Sequence, residues 1–198
     1  MAKIIGRRYR FVDDYKKTVY VGANGKPKDR ITYIGQWVWL LNEDEAYSRI
    51  VLISRIATGV AVAALIGALF ILGNTTAGKW YMPVAALAAF PLAYAIMGAV
   101  AMPNRKTPME RMKFHNSFER SKGAAYLTLI FLGLSALTWL VCWILTWSGI
   151  KVVQSDFSWQ DAGFLVCLLF SAAASFVIIR KTKEIKTELR DNQSYKPV

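Results

Sequence analysis

The groups in this chain whose types and spacing suit chemistry are few. They are two cysteines, Cys142 and Cys167, one histidine, His115, and three lines of small or hydroxyl-bearing residues. A cysteine pair can bind a soft metal or run a redox cycle, but a tetrahedral metal site needs further ligands. Both cysteines fall inside long apolar runs with no His, Asp, Glu or third Cys in reach. A buried Cys of this kind behaves as a small apolar residue. The two thiols are therefore expected to be free and reduced, packed between the third and fourth runs, and no metal or cofactor is expected. His115 sits in a basic stretch and forms no recognisable triad or ligand set, so solvation is its expected fate.

The lines of small residues have helical spacing. Gly59, Ala63 and Gly67 recur every four residues, as do Gly163, Cys167, Ser171 and Ser175; Thr128, Ser135, Cys142 and Gly149 recur every seven. Lines of this kind let helix backbones approach closely in lipid, where burial of apolar area gives no drive for association. They could instead line a polar conduit. Helix-packing seams are the expected reading. The runs that carry them hold no acid or base, which argues against a proton-coupled transporter gated by a membrane carboxylate. No Walker loop, GxGxxG, HExxH or CxxC occurs, so nucleotide-dependent and zinc catalysis have no support and no enzyme is expected.

The elements that must position these residues are four apolar stretches, residues 56–73, 81–102, 124–149 and 162–179. A helix rises about 1.5 Å per residue, so about 20 residues cross the ~30 Å hydrocarbon layer. At 55% hydrophobic over 198 residues, the composition is that of a multi-span membrane protein. The fold class expected is an all-α, four-helix up-down membrane bundle. Trp139, Trp143 and Trp147 lie toward one end of the third stretch, where aromatic rings prefer the headgroup level.

Charge sets the orientation. Of 25 Lys and Arg, only Lys79 and Lys151 lie in the two short loops; the rest are in the N-terminal segment, the loop 103–123 and the tail from Arg180. The positive-inside rule then puts both termini and the middle loop in the cytoplasm of a cell carrying the protein in its inner or plasma membrane. The net charge of +12 faces anionic lipid headgroups on this reading, not nucleic acid.

Residues 1–41 differ in character. Thr18–Val21 and Arg30–Ile34 are β-rich and flank Asn24-Gly25 and Pro27, which predicts a hairpin with a loop longer than two residues; Tyr9–Val12 is a candidate third strand. Trp37, Trp39, Leu40 and Leu41 suggest an interfacial anchor. Three helix starts are expected: Asn42 to Glu45, Thr107 to Glu110 opening a short helix in the middle loop, and Asn116 to Glu119 ahead of the third run. Ile185 and Leu189 extend the apolar spacing of the last run, predicting helix through Arg190, followed by a frayed tail, 191–198. Asn42 and Asn116 lie 74 residues apart, as do Gly59 and Gly133, which raises a duplicated hairpin against the plainer reading of four spans with short loops. The organisation expected is thus an N-terminal element, 1–41, and a membrane domain, 42–190. Two functions fit it: a non-catalytic membrane protein that binds a further subunit or itself, or a small oligomeric transporter or pore.

Overall fold

The computed structural model describes residues 14–21, 27–72, 79, 81–149 and 158–191. Four helices among them are long and apolar enough to cross a membrane, and the chain is a multi-pass membrane protein. Helix α1 spans Asp44–Leu72. The second span is two pieces, α2 (Tyr81–Leu87) and α3 (Ala89–Ala101). The third begins as the single turn α4 (Arg111–Phe114), passes through a π-turn at His115–Glu119, and continues as α5 (Arg120–Trp147). The fourth is α6 (Trp159–Lys183).

Local chemistry accounts for these boundaries. Asp44 and Glu45 place negative charge on the positive first turn of α1. The second span breaks at Ala88 because Pro91, three residues on, has no N–H to return to the carbonyl of Leu87. Ala88 bonds back to Ala85 at 3.0 Å and Leu92 resumes the ladder onto Ala88 at 3.1 Å.

The helices pack so that α6 lies along α1 and also against α5, while α5 lies against α2 and α3. A buried cluster between them includes Leu65, Tyr81, Leu92, Leu132, Phe164 and Leu168. Only 22% of the apolar window of α5 is buried, against 39% for each other span, so α5 turns most of its surface outward. Trp139, Trp143 and Trp147 form a ladder along it, with successive rings 6.4 Å apart and nearly parallel.

Five strands among the described residues sit at the end where α1 begins and α6 ends. β1 (Tyr15–Val21) and β2 (Pro27–Tyr33) form an antiparallel hairpin with Tyr15 opposite Tyr33 and Val21 opposite Pro27. This is the hairpin expected from Thr18–Ile34, longer by a few residues at each strand start; Tyr9–Val12 lies outside the described residues. β3 (Trp37–Leu40) is the centre of a second sheet, flanked by β4 (Met109–Glu110) and β5 (Thr187–Arg190), both antiparallel to it. Val38 and Leu40 point inward onto Tyr47, Val51, Met102, Met109 and Phe118. That small core joins the N-terminal segment, the middle loop and the C-terminal segment into one cap.

The cap corrects several expectations. Trp37 and Trp39 belong to a central strand, and the Arg190 guanidinium stacks over Trp39 at 5.0 Å. The last helix stops at Lys183, and residues 187–190 leave it to pair with β3. Asn42 does not cap α1. Its Nδ2 donates to the Glu184 carbonyl at 3.0 Å and its Oδ1 accepts from the Lys186 N–H at 2.8 Å, which holds the turn between α6 and β5. Met109 and Glu110 are strand, and helix begins at Arg111 without a side-chain cap. Asn116 to Glu119 lies within continuous helix, so the two Asn-x-x-Glu segments are not equivalent and lend the duplicated hairpin no support.

Candidate functional site

Three places bring polar or charged groups against the apolar body. The first is at the far end from the cap. Ser158 precedes α6, and Asp161 is the third residue inside it, so the two form a reciprocal capping box. Asp161 Oδ2 accepts from the Ser158 backbone N–H at 2.6 Å and from Ser158 Oγ at 3.1 Å. Its Oδ1 accepts from Lys79 Nζ at 2.7 Å and from the Tyr81 hydroxyl. The Lys79 and Asp161 side chains are 2% and 1% exposed. A buried charge survives only when paired and hydrogen-bonded, and four donors use up this carboxylate. It is a clasp between the start of the second span and the start of the fourth, with no lone pair left to meet a substrate.

Neither partner was among the candidate residues read from the sequence. Lys79 and Asp161 counted as members of short loops, because the fourth run was placed at 162–179. The signal for Asp161 was present, since Ser158-x-x-Asp161 ahead of an apolar run is a capping-box signature. Lys79 carries no local signal; only the packing around it buries it.

The second place is the set of small-residue lines. On α5, Thr128 Oγ1 donates to the Ala124 carbonyl at 3.0 Å, and Ser135 Oγ crosses to the Tyr81 carbonyl at 2.8 Å. On α6, Ser171 Oγ crosses to the Ala61 carbonyl of α1 at 2.9 Å, and Ser175 Oγ donates to Ser171. All four hydroxyl residues are fully buried. Gly67 faces Cys167 Sγ, 3.7 Å from where a Cβ would stand, and Gly163 faces Ile71. Cys167 therefore packs toward α1, not between the third and fourth spans as expected, while Cys142 is buried in the same cluster. Both thiols are free. Gly149 follows α5 with a positive φ of 82°, donates its N–H to the Thr146 carbonyl at 3.1 Å, and has open space where a Cβ would stand.

Gly59 and Ala63 are the exception. Both are exposed, and nothing lies within 4 Å of a Cβ built on Gly59. They floor the third place, an open cleft of about 550 Å³ between α1 and α3, lined also by Val62, Ile66, Ile96 and Val100. Its polar groups are confined to the cap-side end. Thr58 Oγ1 is spent on the Ser54 carbonyl at 2.8 Å. Arg55 sends Nε to the Ala99 carbonyl at 3.1 Å, and its two terminal nitrogens to the Met102 carbonyl and Asn104 Oδ1, both at 2.6 Å. The Ala99 and Met102 carbonyls belong to the C-terminus of α3, where carbonyls lack helical partners. None is a carboxylate, so among the described residues no acid offsets the guanidinium charge.

A sequence search also missed Gly98. A Cβ there would stand 2.8 Å from the Ser121 nitrogen and 2.9 Å from the Ser117 carbonyl oxygen, so α3 meets the π-turn backbone to backbone. His115 lies on that turn and pairs with Glu119, one helical turn on, instead of standing alone in solvent.

No known protein family, curated protein or solved structure matches the chain.

Proposed function

We propose that this chain is a non-catalytic membrane protein that acts through binding, as an accessory subunit, assembly factor or regulator. On this reading its four spans run up and down through the inner or plasma membrane, with the cap and both termini in the cytoplasm. The observation that carries the reading is the fate of the hydroxyl seams. Thr128, Ser135, Ser171 and Ser175 are all consumed on backbone carbonyls inside the chain, so they offer no lining to a permeating solute. The one buried ion pair among the described residues, Lys79–Asp161, is saturated in the same way.

Surfaces suited to a partner are, by contrast, left open. The Tyr33 end of the hairpin docks on the cap through Trp37 and Tyr15, whereas Val19 and Ile31 on the same face are 65% and 70% exposed. The outward face of α5 is apolar from Leu127 to Trp147. The partner is a further membrane subunit or a second copy, with anionic lipid against the basic cytoplasmic side and no nucleic acid.

Reconstitution of the purified chain into liposomes tests the reading. Ion and small-solute leakage should stay at the protein-free level, and mild extraction from native membranes should yield an assembly larger than the single chain in its micelle. Solute flux through the purified chain alone would replace binding by the alternative, a small oligomeric transporter or pore.

A further inference from the structure

The cleft between α1 and α3 has the layout of an amphiphile. It is one cation at the cap end and apolar wall beyond. We propose that it holds one acyl chain of an anionic phospholipid from the cap-side leaflet, with the lipid phosphate at Arg55. The proposal rests on the membrane-spanning reading and adds a specific, stoichiometric lipid to it.

Size and charge both select this occupant. From Arg55 to Ile66 the cleft follows eleven residues of α1, about 16 Å at the helical rise. The cleft, about 550 Å³ and open along one side, has room for a single acyl chain over that length. A transmembrane helix about 10 Å across would displace more than twice that volume over the same 16 Å, and would lie on the cleft instead of in it. The floor is low because Gly59 and Ala63 stand where larger residues would fill the space, and nothing in the chain approaches Gly59. Ile66, Ile96 and Val100 rise at the sides, all well exposed although they form a wall. At the mouth, the Arg55 guanidinium is held in place by three neutral oxygens. It is therefore preorganised while its charge is free to attract an anion, and a guanidinium is well suited to phosphate. The chain tail would gain from leaving bulk lipid only modestly, so the headgroup should dominate the preference.

Native mass spectrometry of the full chain with matched-chain phosphatidylglycerol or phosphatidylcholine tests this. The wild type is expected to keep one phosphatidylglycerol at collision energies that strip other lipids. Both lipids bring a phosphate to Arg55, but the trimethylammonium of phosphatidylcholine offsets that charge, so the preference for the net-anionic lipid should be about fivefold. Ala63→Phe, which fills the floor on an exposed face, should remove the tightly held lipid while leaving the loosely held ones. Arg55→Gln should keep the adduct and lose the preference. Because Arg55 also ends α3, Ala63→Phe carries the test if Arg55→Gln fails to fold. An adduct unchanged in Ala63→Phe, or equal retention of both lipids by the wild type, would overturn the site while the loosely held lipids still attest a membrane protein. An Ala63→Cys chain lacking Cys142 and Cys167 that cross-links to a neighbour in native membranes would also overturn it, by placing a protein helix over the cleft.

Discussion

Lys79 reaches Asp161 across 82 residues of sequence, Nζ to Oδ1 at 2.7 Å, with both side chains almost wholly out of solvent. Breaking a buried pair on one side strands a charge and costs about 3–5 kcal/mol. Lys79→Met should therefore lower thermal stability sharply in a fixed detergent. Adding Asp161→Asn removes the stranded charge but leaves a single oxygen, which accepts from Tyr81 or from the Ser158 N–H and not from both, so the double variant should recover only part of the loss. A Lys79→Met chain that melts with the wild type would show the pair to be solvated.

Gly98 faces the π-turn with no room for a side chain. Both neighbours are backbone, so Gly98→Ala must push α3 away from α5, at about 1–3 kcal/mol for overpacking. Gly59→Ala, on the open cleft, should change stability little. Parallel melts of the two variants separate the positions, and equal melting temperatures would refute the contact.

Alkaline pH should release the hairpin. Burial, and then the hydrogen bond and charge of Glu110, push the Tyr15 hydroxyl well above the usual tyrosine range; its donor distance to Glu110 Oε2 is 2.9 Å. Burial also raises Tyr33, against a smaller opposing effect of its bond from the Arg111 N–H. A raised value means that the folded state favours the protonated phenol. The docking stability is thus full below the ordinary tyrosine value of 10.0 and is lost as pH climbs past it toward the raised values. Hydrogen exchange of the β1–β2 amides should accelerate in that window, and Tyr15→Phe should flatten the response. Protection that persists unchanged at strongly alkaline pH would count against the docking.

Orientation is tested by fusions. A reporter active only in the cytoplasm should work after Val198 or within 103–123, and fail within 150–161. Activity in the last position would reverse the topology.

The cysteines should be dispensable. Cys142→Ala with Cys167→Ala removes two small packing groups and leaves no polar partner behind, so assembly should survive with a loss of about 1 kcal/mol per site. Loss of binding with normal expression would give the thiols a role beyond packing.

What the sequence revealed follows from the range of each interaction. The four spans were legible because hydropathy is summed over twenty neighbours, and the hairpin because its strands lie within ten residues of each other. The break at Ala88 has a local cause in Pro91, which removes the N–H that would return to Leu87. Thr187–Arg190 was misread as helix because its strand character comes from β3, far away in sequence, and Asn42 was misread as a cap because its partners are Glu184 and Lys186. Gly59 and Gly98 are the same residue in apolar helices, and only the neighbouring backbone distinguishes them. The Ser158–Asp161 box was readable; setting the last run to start at residue 162 hid it.

The central strand of the cap also imposes a timetable on synthesis. Gln36, just before β3, bonds to Asp191, 155 residues later. At about 5–20 residues per second, translation leaves an interval of roughly 8–30 s between them. Throughout it Trp37–Leu40 is an apolar strand with one edge open, the kind of template that recruits foreign strands. Closure of the sheet by Thr187–Arg190 therefore waits until all four apolar helices have been synthesised.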